Sequence, residues 1–113
     1  MGQRKLAPLV SLFTADGEDD GAQLCLQILG NGGRGHTAII HTRSRRRQMC
    51  FARQMPASRI LVNTPSSMGC SGVVNGLAPS LTLGCGTFGG NSTTDNVGYR
   101  NLLNIKRVAR PLG

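Results

Sequence analysis

Four thiols, two imidazoles and a run of guanidinium groups are the side chains of this 113-residue sequence best suited to chemistry. The thiols are Cys25, Cys50, Cys70 and Cys85; the imidazoles are His36 and His41. Cys85 lies between Gly84 and Gly86 in Leu81-Thr-Leu-Gly-Cys-Gly-Thr-Phe-Gly-Gly-Asn-Ser92. A thiol between glycines is open to approach, and a thiolate is a strong nucleophile. No basic side chain adjoins it in sequence to draw off the proton. The favoured reading is a small residue buried in a turn. No two cysteines form a C-x-x-C pair, and structural zinc sites gather ligands in close pairs. No metal site is expected, and a disulfide framework would need a secreted context.

The chain carries 13 Lys and Arg against 5 Asp and Glu, a net charge of +8. The bases concentrate in Arg43-Ser-Arg-Arg-Arg47 and the acids in Asp16-Gly-Glu-Asp-Asp20. Such an excess raises nucleic acid as a partner, and a small basic binding module is one alternative reading. However, the arginines fall where a helix should begin and no aromatic platform accompanies them. A solvated helix face is expected instead, without nucleic acid. Gly30-Asn-Gly-Gly-Arg-Gly35 is also glycine-rich. It opens a strand and not a helix, so it lacks the helix N-terminus that holds a pyrophosphate. Thr64-Pro-Ser-Ser67 reads by itself as a turn.

The elements that must position these groups alternate. Leu6–Phe13 is expected as a strand with Pro8 near its start. Asp19 or Asp20 should cap a helix running to about Leu29, closed by the glycines of 30–33. Gly35–Thr42 is expected as a second strand. Thr42 or Ser44 should cap a helix over Arg45–Met55 that stops before Pro56. Arg59–Asn63 is expected as a third strand. Thr64–Pro79 is expected as a long connection, the glycine-rich bend follows, and Leu102–Val108 closes the chain as a strand. This order implies an α/β fold with parallel pairing. Few strands, few aromatics and a long loop with nothing to lie on imply an incomplete domain. No apolar run is long enough to span a bilayer, so a soluble, cytoplasmic protein is expected.

Five pieces of the sequence then resemble, in order, the CoA-acylating branch of the aldehyde dehydrogenase superfamily. Lys5-Leu-Ala-Pro8 resembles E-K-L-S-P, and Gly33-Arg-Gly-His-Thr-Ala38 resembles G-x-G-H-T-A. Met55 through Pro65 resembles M-x-x-x-R-I-L-V-N-T-P. Leu81 through Ser92 resembles L-T-L-G-C-G-x-x-G-G-N-S, and Leu102–Val108 resembles L-L-N-I-K-x-V. The resemblance implies the C-terminal part of the catalytic domain over residues 1–100, with the closing strand of the oligomerisation flap in 101–113. It implies a homo-oligomer joined through 102–108. It also implies oxidation of an aldehyde to an acyl-CoA with NAD or NADP, and coenzyme A as co-substrate.

In that chemistry the aldehyde adds to a cysteine thiolate, hydride leaves to nicotinamide, and the thioester passes to coenzyme A. The resemblance places the nucleophile and the dinucleotide-binding domain upstream of this segment, so the chain is expected to be inactive alone. An alternative is a non-catalytic piece that docks on full-length subunits. His36 matches a histidine near the catalytic thiol, and Thr64, Pro65, Ser66 and Ser67 match the loop lining the substrate entrance. Arg4 stands where the family has a ribose-facing glutamate. Arginine cannot accept a hydrogen bond from a hydroxyl, so no cofactor-binding residue is assigned.

Overall fold

The structure is a computed structural model, and it describes residues 8–113. Its centre is one β-α-β unit. Strand β1 (Gly35–Ile40) runs parallel to β2 (Ala57–Val62), and helix α2 (Arg45–Gln54) makes the crossover between them. Parallel neighbours need such a crossover, since a tight turn reverses the chain. The register sets Gly35 opposite Ala57, Thr37 opposite Arg59 and Ile39 opposite Leu61. The α/β reading with parallel pairing is therefore what the chain adopts.

Helix α2 begins and ends where local chemistry dictates. The Ser44 hydroxyl oxygen accepts from the Arg47 N–H at 3.4 Å, which caps the helix. Met55, ahead of Pro56, is extended, and its N–H donates to the Phe51 carbonyl. Helix α1 (Glu18–Asn31) precedes β1. Its first turn carries Glu18, Asp19 and Asp20, the sign that the helix dipole favours there. The expected aspartate cap is corrected. Gly17 occupies that position without a side-chain bond, and the Asp20 carboxylate instead accepts from the Asp16 N–H at 2.9 Å.

The sequence expectation fails at both ends. Residues 9–15 form no strand, and residues 1–7, which hold Arg4 and the Lys5-Leu-Ala7 part of the first motif, lie outside the described residues. The closing strand is likewise absent as a strand of this chain. Tyr99–Leu102 is a short 3-10 turn, and 103–113 carry no regular structure and are exposed. A strand exists only through its hydrogen-bonded neighbour, and among the described residues neither segment has one.

The connection after β2 is better built than expected. It contains a short helix, α3 (Ser66–Cys70), laid on the sheet. A Cβ on Gly69 would come within 2.7 Å of a Leu61 methyl, so glycine permits that contact. The glycine-rich segment then forms an arm. Leu83 bridges Asn96 in antiparallel fashion; Gly84 N–H donates to Asp95 O and Gly86 N–H to Thr93 O, each at 2.8 Å. A 3-10 turn, Thr87–Gly89, closes the tip.

Burial is sparse. Only Ala38, Met55 and Leu61 are buried apolar side chains among the described residues, while Leu9, Val10, Leu12, Leu81, Leu102 and Val108 lie largely in solvent. The radius of gyration is 17.1 Å, against about 13 Å for a compact chain of this length. This is the geometry of part of a larger folded unit.

Candidate functional site

The arm, β1 and β2 meet at the start of the sheet, and the meeting is organised by one charged side chain. Arg59 is 4% exposed, although Ile60, Leu61 and Val62 follow it in the strand. Its Nη2 donates to the Gly84 carbonyl at 2.6 Å and its Nη1 to the Thr94 carbonyl at 3.0 Å. Its Nε donates to the Thr37 hydroxyl oxygen at 3.3 Å. The guanidinium thus uses all three of its nitrogens, as burial of such a group requires. Gly84 and Thr94 belong to the two sides of the arm, so Arg59 fastens both to the sheet.

Glycines make that approach possible. Gly35 has φ +77°, and a Cβ there would overlap the Cys85 carbonyl. A Cβ on Gly89 would overlap that of Cys85 and come within 3.0 Å of the Arg34 carbonyl. The glycine density therefore serves close approach by another part of the same chain. Cys85 is half-buried within it. Its N–H donates to Asn91 Oδ1 at 2.9 Å, and its Sγ lies 3.9 Å from the Leu83 carbonyl.

His36 is the second residue of β1, beside this junction. Its Nδ1 lies 2.9 Å from Thr37 Oγ1, the same oxygen that receives Arg59 Nε–H. Thr64, Pro65, Ser66 and Ser67 lie at the other end of the sheet. Six residues separate Ser58, beside His36 by register, from Thr64, which at about 3.3 Å per residue is about 20 Å. Thr64 Oγ1 donates to the Val62 carbonyl at 2.9 Å; Pro65 precedes α3, and Ser66 and Ser67 begin it. The strands therefore hold the two expected groups apart.

The remaining chemistry-bearing groups have other surroundings. Arg45, Arg46 and Arg47 are exposed on the first turn of α2, and Arg47 forms an ion pair with Glu18 of α1. Cys25 and Cys50 line a cleft of about 310 Å³ with Ala22, Ile40 and Phe51. Burial pushes the Cys25 thiol above its usual range. No three His, Cys, Asp or Glu side chains among the described residues gather as a metal site. No helix among them is long and apolar enough to cross a membrane.

A dinucleotide does not fit the glycines of 30–35. Gly30 and Asn31 are the last two residues of α1 and the stretch leads on into β1 at Gly35, so the helix end here is the carbonyl end. A pyrophosphate is repelled there.

Sequence reasoning passed over Arg59, Thr37 and Asn63. Asn63 has φ +52°; its Oδ1 accepts from Thr42 N–H at 2.9 Å and its Nδ2 donates to Thr42 O at 3.0 Å, which ties the two strand ends together. An arginine inside Arg-Ile-Leu-Val was the available signal, since a charge in a buried strand requires partners.

Comparison with known proteins agrees with this geometry. No protein-family model matches the chain. It is 45% identical over 108 residues to aldehyde-alcohol dehydrogenase 2 of Entamoeba histolytica, covering 95% of this chain and 12% of that protein. It superposes on a probable aldehyde dehydrogenase of Listeria monocytogenes with a TM-score of 0.91 and 43% identity, over 98% of this chain and 24% of that one. The chain is homologous to a portion of the acylating aldehyde dehydrogenases. An acetylating aldehyde dehydrogenase of Geobacillus thermoglucosidasius gives a TM-score of 0.82 at 39% identity, over 88% of this chain and 22% of that one. This aldehyde dehydrogenase segment thus spans about an eighth of its curated relative and about a quarter of the solved chains. The sparse core and the large exposed apolar surface follow from that.

Proposed function

We propose that the chain serves as the part of an acylating aldehyde dehydrogenase that braces the glycine-rich arm and presents His36 beside the reacting centre. The reaction converts aldehyde, coenzyme A thiol and NAD(P) to acyl-CoA, NAD(P)H and a proton. The observation that carries this reading is the fastening of the arm to the strand of His36 by Arg59. Nicotinamide accepts the hydride when bound, and the residues described here supply no seat for it. The chain's own part is positional. Arg59 fixes the arm, Thr37 meets the His36 ring, and Thr64, Pro65, Ser66 and Ser67 line the approach of substrate. The nucleophilic thiol lies on sequence other than this chain. Cys85 stays in the arm as a packing residue, with its N–H committed to Asn91. Residues 101–113 join a second subunit through 102–108.

The test is complementation. The chain is mixed with the complementary remainder of an acylating aldehyde dehydrogenase, and NADH formation is followed with acetaldehyde and coenzyme A. No turnover by either part and CoA-dependent turnover by the mixture is the expected result. Turnover by this chain alone, or none by the mixture, would overturn the reading.

A further inference from the structure

We propose that Asn96 is a positioning residue whose carboxamide pins the end of α3 to the glycine-rich arm, and so fixes Ser66 and Ser67, at the start of α3, relative to that arm. The inference deepens the functional reading above and rests on it for its consequence in turnover; the tie itself does not depend on turnover.

Asn96 Nδ2 donates to the Cys70 carbonyl at 2.9 Å and to the Ala78 carbonyl at 2.8 Å. Both facing atoms are acceptors, so the NH2 end of the group belongs there, and both of its protons are used. The first of these bonds answers a need of the helix. The last carbonyls of a helix have no partner within it. In α3 (Ser66–Cys70) local groups serve Ser67, Met68 and Gly69. Ser71 N–H donates to Ser67 O at 3.4 Å, and Ser71 O–H to Met68 O at 2.9 Å. Asn75 Nδ2 donates to Gly69 O at 2.8 Å. The Cys70 carbonyl is served instead by Asn96, 26 residues away on the arm.

The main chain of Asn96 is held without help from its side chain. It bridges Leu83, flanked by Gly84 N–H to Asp95 O and Val97 N–H to Thr82 O, each at 2.8 Å. The carboxamide therefore projects from a fixed base and reaches both ends of the connection 70–78. Arg59 holds the same arm to the sheet through Gly84 and Thr94. Helix α3 is thus located from two sides. Gly69 rests on Leu61 of β2, and Cys70 is held by the arm. Asn96 needs no contact with substrate for this role. Without it the start of α3 shifts as a wall of the substrate approach, which weakens aldehyde binding and leaves the chemistry at the thiol unchanged. Ser80 N–H donates to Ser71 O at 2.9 Å, a main-chain tie that a change at position 96 leaves intact. Such a change loosens α3 without releasing the whole connection.

The parent protein gives the first reading. In nuclear magnetic resonance of the full 15N-labelled chain, the Asn96 carboxamide protons should exchange with solvent roughly fivefold or more slowly than those of exposed Asn104, the factor one net hydrogen bond supports. Asn96→Asp keeps the shape and, ionised, donates nothing. The Gly69 and Ser71 amides should then lose roughly fivefold or more of their protection, while the Gly84 and Gly86 amides keep theirs. In the complementation mixture, KM for acetaldehyde should rise roughly threefold or more with kcat nearly unchanged, the mark of lost binding that ground state and transition state share. Ser44→Ala removes the cap of remote α2 and serves as the control, since a chain that is merely less stable lowers the yield of active complex and not KM. Carboxamide exchange as fast as that of Asn104, unchanged α3 protection in Asn96→Asp, or a KM moved equally by both variants would overturn the proposal. The expected protection in a mixture that never turns over would overturn the functional reading and uphold the tie. Turnover with a KM that Asn96→Asp does not move would do the reverse.

Discussion

Arg59 Nη2 donates to the Gly84 carbonyl at 2.6 Å across 25 residues of sequence, and this bond joins the glycine-rich arm to the sheet. The Nη1 bond to Thr94 secures the opposite side of the same arm. Hydrogen bonds from a charged donor are worth about 1.5–3 kcal/mol each. Arg59→Met keeps the apolar stem and removes all three donors, so it should destabilise by about 3 kcal/mol or more by that measure. Arg59→Lys loses the fork and recovers only a fraction. Denaturant midpoints give the size of the loss. Hydrogen exchange gives its place, with Gly84 and Gly86 amides expected to lose protection before those of β1. Unchanged protection in the arm would refute the assignment.

Gly35 and Gly30 form a matched pair. Gly35 has φ +77°, with the Cys85 carbonyl where a Cβ would stand; Gly30 lies in α1 with nothing within 4 Å. Gly35→Ala should cost at least about 1–2 kcal/mol from the left-handed backbone alone, with the collision added. Gly30→Ala should stabilise by about 0.5–1 kcal/mol, as replacing glycine inside a helix does. Thermal or urea melts of both variants check the opposite signs. A Gly35→Ala protein as stable as the parent would mean that the arm does not rest on β1.

The centre of the fold was legible because its signals are local. Ser44 and Pro56 bracket α2, and two short β-branched runs mark the parallel strands. The outer parts were not legible for the opposite reason. Leu6–Phe13 and Leu102–Val108 look like strands, but a strand needs a neighbour, and among the described residues none pairs with 8–13 or with 102–108. The family motifs located the arm and His36. They did not show that Arg59 links them, because its partners lie 22, 25 and 35 residues away and no spacing rule predicts such contacts.

Asn63 offers a test of the other end of the sheet. It combines φ +52° with two hydrogen bonds to the Thr42 backbone. Asparagine tolerates this conformation better than most residues, and glycine better still. Asn63→Gly should therefore lose only the bonds, about 1–2 kcal/mol for the pair. Asn63→Ala should lose the bonds and add backbone strain, roughly another 1 kcal/mol. The order parent, Gly, Ala in equilibrium unfolding is the expected outcome. Alanine equal to glycine would show that the backbone there relaxes freely.

Two of the four free cysteines should separate by burial. Cys50 is exposed, whereas Cys25 is half-buried with its thiol pushed above the usual range by burial. Thiolate is the reactive form, so maleimide should label Cys50 well before Cys25 in the folded chain and both alike in denaturant. The same shift has a sign for stability. As pH rises past the usual thiol value, the unfolded chain releases the Cys25 proton while the folded chain retains it. The unfolded state then binds fewer protons, and stability falls with pH across that window until the folded thiol also ionises. Cys25→Ala should flatten the decline, at the cost of a small cavity beside Phe51 and Ile40. Urea midpoints of parent and variant, measured from neutral pH to above the thiol range, should converge as pH rises. A constant gap would mean that Cys25 ionises equally in both states.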